Sequence, residues 1–285
     1  MLKALDRNIA SASERIVFVA PSVNSVSDVF HNVEIDGHRH RELVGDVQRM
    51  RGSIYLKDGA ILPHQLTPDG LHQTPEDETG WHMLLRDKDQ RMTACASYLE
   101  HDNSVTFDRL RARQCPLAGD PESRSTLVTA IESELARARH ERLQYVELGG
   151  WAVSEESRGT AGPLALALAV YGFSRRAGGA LGIATATFRH CSATILKRLG
   201  GARFQVGGVT LPPYYDPSYR CMMEMIRFDS RRPNPKYIRL IDQVRDTLAN
   251  ITVVARPSAA AEPPQAAYSF WRTPAKVSQA ILAPT

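Results

Sequence analysis

Apolar positions are densest between residues 145 and 176, where a strand-like segment leads through a polar loop into an apolar run. Residues Tyr145 to Ser154 carry β-branched and aromatic side chains around the pair Gly149-Gly150, and glycine inside a strand usually marks a bulge or a close backbone approach. Pro163 follows the loop as a favoured first helical residue, and Leu164 to Phe173 are almost wholly apolar. The pattern predicts a strand, a loop and a helix.

Two interpretations of this segment stay open. The backbone N–H groups at the predicted helix start, with the positive end of the helix dipole behind them, could bind a pyrophosphate together with Arg158. The same pattern also fits an ordinary buried strand, turn and helix, because small-residue loops before helices are common.

The remaining pattern predicts alternating helices and strands on both sides of this segment. From Asp28 to Leu56, apolar residues at helical spacing predict two short helices with a break near Asp36-Gly37, and 57–80 is a loop by composition. Further helices are predicted over Ser123–Arg142, Ser192–Leu199 and Lys236–Asn250. Strands are predicted over Arg15–Val19, Trp81–Arg86, Met92–Leu99, near Ser104–Phe107, Ala180–Thr187, Ala202–Val206 and Cys221–Phe228.

These elements predict one main domain with two extensions. Residues 1–20 are expected to form a loosely held N-terminal arm and 21–230 the α/β domain. Residues 231–255 are expected to form a C-terminal helix, and 256–285 a flexible tail with little core of its own.

Composition changes this picture little. The chain has 285 residues, 43% of them hydrophobic and 23% charged, which is ordinary for a globular protein. The net charge of +4 suits an anionic ligand but is too small to argue for nucleic acid. No apolar block resembles a signal peptide or a membrane span, so a cytoplasmic protein without integral membrane association is expected. Four widely separated cysteines without CxxC spacing predict reduced core thiols and no metal site: Cys95, Cys115, Cys191 and Cys221.

Three motifs, VQRMRGSIYLKDGAI, EDETGWHMLLRD and ELGGWAV, follow one another along this order of elements. Together with that order they resemble the GNAT acyltransferase fold, in the branch of acyl-homoserine-lactone synthases and N-acyl amino acid synthases. VQRMRGSIYLKDGAI matches an arginine-bearing helix before a tyrosine turn, with Arg49, Arg51 and Tyr55. EDETGWHMLLRD matches an acidic loop before a strand, with Asp77 and His82. ELGGWAV matches the central strand and supplies its glutamate, Glu147. The resemblance covers about residues 40 to 230 and implies a mixed, mostly antiparallel, twisted sheet flanked by helices.

The chain departs from the family pattern at three positions. Gly150 stands where the branch has an arginine that relatives use to position the acceptor. The glycines of the loop from Arg158 to Pro163 are shifted relative to the general GNAT pattern. Leu196 stands where many GNAT enzymes have a tyrosine that acts as general acid, although the lactone-synthase branch also lacks it.

The resemblance implies transfer of an acyl group from a thioester, acyl-CoA or an acyl-carrier protein, to a small-molecule amine, with no metal. It implies Glu147 as the acceptor of the amine proton, with His82 as a second candidate, although either residue could be structural. Residues of the strand and loop would bind the donor: Leu148, Trp151, Ala152, Val153, Arg158, Gly159, Thr160, Ala161 and Gly162. Residues expected to bind the acceptor are Arg49, Tyr55, Asp77 and Tyr215, with Tyr214 and Tyr219 as further candidates to cover it.

Two other functions remain compatible with the sequence. The departures at Gly150 and in the loop favour a protein that keeps the fold without catalysis and binds a thioester or a partner. DNA binding through the arginine-rich segment 39–51 is a weaker possibility, since the overall charge is close to neutral.

Overall fold

The computed structural model describes residues 2–22 and 26–257, and within these ranges the chain builds one large sheet with helices on both faces. The strand order is β10-β11-β6-β5-β4-β3-β1-β12-β2, with β7 pairing onto β11, and β8 and β9 form a separate two-stranded sheet. The strands are β1 (Ile16–Val19), β2 (Asn32–Ile35), β3 (Trp81–Arg86), β4 (Met92–His101), β5 (Gln144–Val153), β6 (Ala180–Thr187), β7 (Ala202–Arg203), β8 (Gln205–Val206), β9 (Val209–Thr210), β10 (Tyr214–Asp216), β11 (Cys221–Asp229) and β12 (Thr252–Ala255).

Seven α-helices accompany the strands in the described ranges, and none of them is long and apolar enough to cross a membrane. They are α1 (Leu2–Ser13), α2 (Gly37–Lys57), α3 (Pro116–Gly119), α4 (Pro121–Glu141), α5 (Ala161–Arg176), α6 (Ser192–Leu199) and α7 (Ile238–Leu248). Helix α2 begins where Asp36 accepts hydrogen bonds from the backbone N–H groups of His38 and Arg39, which satisfies donors that the first turn leaves unpaired.

The predicted mixed, mostly antiparallel sheet is confirmed. Three pairs are parallel, β1 with β12, β12 with β2, and β5 with β6, whereas the other pairs of the large sheet are antiparallel. The parallel pair β5–β6 is joined by the crossover helix α5, as a parallel connection requires.

The two faces of the sheet are packed differently. One face carries α1, α5 and α7 over a continuous apolar core with an aromatic centre, in which Phe173 packs edge-on against Phe18, Trp81 and Tyr98. The other face carries two separate apolar clusters, one under α2 and one under α3 and α4. Between these clusters lies a strip of polar side chains, called the polar band, which consists of Gln48, Arg51, Asp77, His82, His101, Arg111 and Glu147.

The N-terminal and C-terminal segments differ from expectation. Residues 2–13, expected as part of a loosely held arm, form a helix whose Ile9 is buried in the core. Residues 252–255, placed with the C-terminal helix, form a strand between β1 and β2 at the far side of the sheet. The predicted tail lies outside the described residues from position 258 onward.

Smaller differences concern elements next to the site. The first of the two predicted helices over 28–56 is the edge strand β2, and the second is the single helix α2. No strand forms near 104–107, because β4 continues to His101 and residues 107–109 form a 3₁₀ turn. Of the four cysteines, Cys95 and Cys115 are buried as expected, whereas Cys191 is exposed.

Candidate functional site

The centre of the site is a bulge in strand β5. Ser97 of β4 lies opposite Gly149 and Cys95 lies opposite Ala152, so three steps along β5 match two along β4. Gly150 takes up the extra residue with a φ of +60°, a left-handed conformation that favours glycine. A Cβ at this position would lie 2.9 Å from Ser97 Oγ, which excludes larger side chains.

Strands β5 and β6 separate at this bulge. Their parallel pairing runs from Gln144 opposite Ala180 to Leu148 opposite Ala184 and then stops. Both strands continue, to Val153 and Thr187, without pairing to each other in the structure as described. The backbone groups of β5 that face this gap are therefore free of a strand partner and available to a ligand.

The loop after β5 leads into helix α5 as predicted, with one shift in the helix start. The helix begins at Ala161 with Thr160 as its N-cap, so Pro163 is its third residue and not its first. Gly162 lies against the sheet, since a Cβ there would be 2.6 Å from a methyl carbon of Leu85. This first turn follows the end of β5 at Val153 after a loop of seven residues, 154–160, and the N–H groups of a first helical turn have no acceptor within the helix.

The predicted phosphate ligand Arg158 is engaged by an acidic side chain. Its guanidinium lies 3.3 Å from the carboxylate of Asp58, the residue at the C-terminus of α2. His190, in the turn after β6, lies 3.1 Å from the same carboxylate, and Arg189 donates to the Asp58 carbonyl oxygen. Three cationic or ionisable side chains thus converge at the loop, and the sequence pattern singled out only one of them.

Glu147 lies in the polar band, and both oxygens of its carboxylate have hydrogen-bond partners. Its carboxylate accepts hydrogen bonds from the backbone N–H groups of Arg111 at 2.9 Å and Ala112 at 3.0 Å, and pairs with His101 Nε2 at 3.0 Å. Burial raises the pKa of this carboxyl, but the hydrogen bond from His101 and the charge of Arg111 more than offset that and hold the pKa below its ordinary value. These contacts describe an anion that anchors the segment before α3 to the sheet, and its predicted catalytic role stays a prediction.

His82 and Asp77 lie next along the same face of the sheet. The carboxylate of Asp77 accepts from Arg51 at 2.7 Å, Gln48 at 3.0 Å and the backbone of Thr74 at 2.9 Å, so it ties the loop before β3 to α2. His82 Nε2 lies 2.8 Å from the Asp77 carbonyl oxygen. Burial lowers the pKa of His82, which keeps the imidazole neutral.

The rings of Tyr55, His72 and Tyr219 form an aromatic group beside the polar band, near the bulge. The Tyr55 ring lies 5.6 Å from the His72 ring and 6.3 Å from the Tyr219 ring, and its hydroxyl lies 3.5 Å from the carbonyl oxygen of Trp151. Burial raises the pKa of both phenols, so they stay protonated. The pKa of His72 is also lowered, chiefly by burial and to a smaller extent by the charge of Arg51.

Two predicted acceptor residues lie elsewhere. Arg49 is 59% exposed, pairs with Asp46 and lines an open surface cavity of about 810 Å³ together with Arg86, away from the bulge. Its neighbour Arg51 points inward instead, because residues two apart on a helix face different directions. Tyr215 is 55% exposed on the edge strand β10, whereas Tyr219 belongs to the aromatic group.

The donor-site residues of β5 divide between the two faces of the sheet. Leu148, Trp151 and Val153 contact the apolar core under α5, and Ala152 lies in the cluster under α2. Gly159 has a φ of +78° in the loop. Sequence reasoning missed Asp58, His72 and Arg111, and no local pattern around any of them marks it as part of the site.

Comparisons with known proteins gave structural matches alone: no protein-family model and no curated protein sequence matches the chain. Similar solved structures include the CoA-dependent acyl-homoserine lactone synthase BjaI, with 15% identity over 86% of this chain and 93% of that chain and a TM-score of 0.49. FeeM, an N-acyl amino acid synthase from uncultured soil microbes, has 12% identity over 70% and 88% and a TM-score of 0.44. The acyl-homoserine lactone synthase LasI has 13% identity over 67% and 84% and a TM-score of 0.42. These are the two synthase classes that the sequence motifs resemble.

Proposed function

We propose that this protein transfers an acyl group from a thioester to an amine, with the reaction at the bulge of β5. The observation that carries the proposal is the opening between β5 and β6, which begins at the left-handed Gly150 and ends at the N-terminus of α5. An extended pantetheine arm can bind to free backbone groups as an added strand would, while the helix start suits the phosphate at its end.

The chemistry needs few groups from the protein. The amine attacks the thioester carbonyl, the C–S bond breaks, and the thiolate leaves and takes up a proton. Backbone N–H groups at a bulge, held without reorganisation, would stabilise the negative charge that develops on the carbonyl oxygen. Residues 149–153, which lie beyond the last pair between β5 and β6, would supply such groups.

The attacking amine must lose a proton, and His72 fits this step better than Glu147. Glu147 has its oxygens occupied and a lowered pKa, so it is a weak proton acceptor. His72 is neutral near pH 7 because its pKa is lowered from 6.5, and its Nδ1 is buried with no partner among the described residues. It also contacts Tyr55, whose hydroxyl reaches the bulge.

The donor would be acyl-CoA or an acyl-carrier protein, since both present the same pantetheine arm. Arg158 and the backbone N–H groups of residues 159–162, in the loop and at the start of α5, would bind phosphate oxygens, and Arg189 and His190 beside the same loop would add to this group. The acceptor would enter from the opposite face, between α2 and the segment before α3, where Tyr55 and Tyr219 lie.

The direct test is the release of free thiol from octanoyl-CoA and from octanoyl-carrier protein in the presence of a mixture of amines. The proposal predicts thiol release that depends on the amine. Gly150→Ala should reduce it by about 100-fold, because the added Cβ displaces the bulge from Ser97. Gly45→Ala is the matched control, since a Cβ at Gly45 meets no atom within 4 Å. Equal rates for the two variants would contradict the proposal.

A second candidate function is binding without turnover. It is favoured because backbone N–H groups already donate to both carboxylate oxygens of Glu147, and because Arg158 pairs with Asp58. Two of the predicted site residues are therefore engaged within the protein. Tight binding of octanoyl-CoA with no thiol release for any amine would support this function over acyl transfer.

A further inference from the structure

Three exposed apolar side chains form a row across the sheet at the end of β6, called the apolar row. Tyr215 of β10 lies opposite Met222 of β11, and the backbone N–H of Phe188, the residue after β6, donates to the Met222 carbonyl oxygen at 3.0 Å. Their chain neighbours Tyr214 and Met223 are buried on the α4 face, so by strand alternation the row lies on the opposite face. The side chains of Tyr215, Met222 and Phe188 are 55%, 40% and 45% exposed, so no described element covers the row.

The apolar row borders the opening between β5 and β6. Phe188 directly follows Thr187, the last residue of β6, and the pairing of β6 with β5 stops before this end. Arg189 then donates to the carbonyl oxygens of Asp58, at the end of α2, and of Arg220, before β11. Three segments are therefore held together here: the end of α2, the turn after β6 and the hairpin of β10 and β11.

Two further exposed apolar side chains belong to the first of these segments. Leu56, in the last turn of α2, is 37% exposed, and Leu62, in the loop that follows Asp58, is 46% exposed. Of the eight large apolar side chains that the described chain exposes, five thus lie on the segments that meet at this end of the sheet. Single exposed apolar residues are normal on a protein surface, whereas such a concentration marks an interaction surface.

The charged side chains next to the apolar row are basic. Arg189 donates to backbone carbonyl oxygens, Arg220 is exposed, and neither guanidinium pairs with a carboxylate of the described chain. Asp216, the acidic residue of β10, is buried on the opposite face and accepts from backbone N–H groups. Glu155 and Glu156 lie across the opening, in the loop after β5. The row therefore meets positive charge on its own side of the opening.

We propose that the apolar row docks this protein on a lipid bilayer that carries anionic headgroups. Apolar side chains insert at the interface while neighbouring arginines meet the headgroup phosphates, and the two contributions add. A bilayer needs no matching shape, so apolar side chains on three separate segments can insert together. The inference does not depend on the proposed acyl transfer, but it would place the opening between β5 and β6 against the phase in which long acyl chains dissolve.

Cosedimentation with vesicles tests this docking directly. Wild-type protein should bind vesicles of phosphatidylcholine with phosphatidylglycerol about tenfold more tightly or better than vesicles of phosphatidylcholine alone. Phe188→Ser combined with Met222→Ser should weaken binding to the anionic vesicles by about tenfold or more, and Arg220→Gln should weaken it in part. Ile35→Ser is the control and should bind as wild type does, because Ile35 is 59% exposed on the edge strand β2 at the other end of the strand order. Absence of wild-type binding to the anionic vesicles, or equal binding by the double variant, would overturn the inference.

An environment-sensitive dye shows which surface meets the lipid and leaves the row unchanged, so it decides the matter even if the double variant does not fold. Cys191, exposed in the turn after Phe188, takes acrylodan in a Cys221→Ser background, and its emission should shift to the blue with anionic vesicles. The same dye on Ile35→Cys, with Cys191→Ser and Cys221→Ser, should show no shift. A shift from Ile35→Cys alone would overturn the inference. So would a dimer that Phe188→Ser dissociates and that binds no vesicles, since the row would then contact a second copy of the chain.

Discussion

Glu147 illustrates how a residue type matched from sequence can have a different use in the structure. Its carboxylate accepts from two backbone N–H groups and pairs with His101, and it is 3% exposed. An anion held by so many donors fixes the turn that carries Arg111. The same bonds that stabilise the anion make it a poor acceptor of a proton.

Replacing Glu147 by glutamine should therefore affect stability first. The amide NH₂ of Glu147→Gln would face backbone N–H donors, and the loss should be about 1–3 kcal/mol in the free energy of unfolding measured with urea. Glu122→Gln is the matched control, because Glu122 is an exposed glutamate in the first turn of α4. A variant as stable as wild type with a lost activity would restore the catalytic role.

The pH dependence of stability should report the same carboxylate. Because the folded pKa of Glu147 lies below its ordinary 4.5, the ionised group stabilises the fold above pH 4.5, and this contribution is lost as the pH falls through the lower folded value. Between neutral pH and the acid side of 4.5, wild-type protein should lose more unfolding free energy than Glu147→Gln. Parallel losses in the two proteins would contradict this assignment.

His72 should appear in the pH–rate profile. Its pKa is lowered from 6.5 by burial, so the neutral base form prevails above that lowered pKa and the rate should fall only as the pH drops below 6.5. His72→Gln should lower kcat by about 100-fold and remove this acid limb. His64→Gln, an exposed histidine of the same loop, should leave the profile unchanged.

At the scale of elements, three segments meet around Asp58: the end of α2, the loop before α5 and the turn after β6. The carboxylate holds Arg158 and His190, which are also the groups proposed to bind donor phosphates. On that proposal, Asp58 would compete with a phosphate for the same cations.

Asp58→Asn should free these cations and tighten the binding of CoA by about two- to tenfold, as a charge pair of this exposure suggests. Isothermal titration measures it directly. Asp46→Asn, which breaks the exposed pair with Arg49 on the same helix, should change nothing. Weaker CoA binding by Asp58→Asn would instead assign Asp58 a supporting role at the loop.

Elements with a strong apolar period could be predicted from the sequence, and short or edge elements could not. The bounds of β6 and α6 coincide with expectation, because β6 is a short apolar run that follows Gly178-Gly179 and α6 is an amphipathic segment that ends at Gly200. Strand β2 has the half-exposed sequence NVEI, which carries no strand signal by itself, and its neighbour β12 lies more than two hundred residues later. Pairing between such distant segments is set by the whole sheet and not by local propensity.

In the site, too, only the parts that need special residues could be predicted from the sequence. The glycine pair and the loop before α5 marked the bulge and the helix start, because a bulge and a tight loop need special residues. Arg111 had no such mark, since Arg109, Arg111 and Arg113 look alike in sequence and differ only in which way the 3₁₀ turns direct them.

At the scale of the whole molecule, the sheet extends beyond the segment that carries the family resemblance. Strand β12 lies between β1 and β2, and β1 pairs with β3, which leads directly to the strands of the site. Val253, Val254 and Ala255 are buried. The C-terminal strand therefore belongs to the core that supports the site.

Truncation should show this dependence. A chain ending at Asn250 loses β12, which leaves β2 without a strand partner and β1 paired with β3 alone. It should unfold at a Tm lower by about 4–8 °C, as expected for a loss of about 2 kcal/mol. A chain ending at Pro257 keeps the strand and is the reference for the comparison. Equal Tm values would mean that β12 contributes little to the fold.

A thioester site between β5 and β6 can be tested by hydrogen exchange with and without a thioether analogue of octanoyl-pantetheine, the arm that CoA and carrier proteins share. We expect slower amide exchange in residues 149–153 and in the first turn of α5, with little change in β12. Protection confined to other parts of the described chain, or none at any analogue concentration, would contradict a thioester site between β5 and β6.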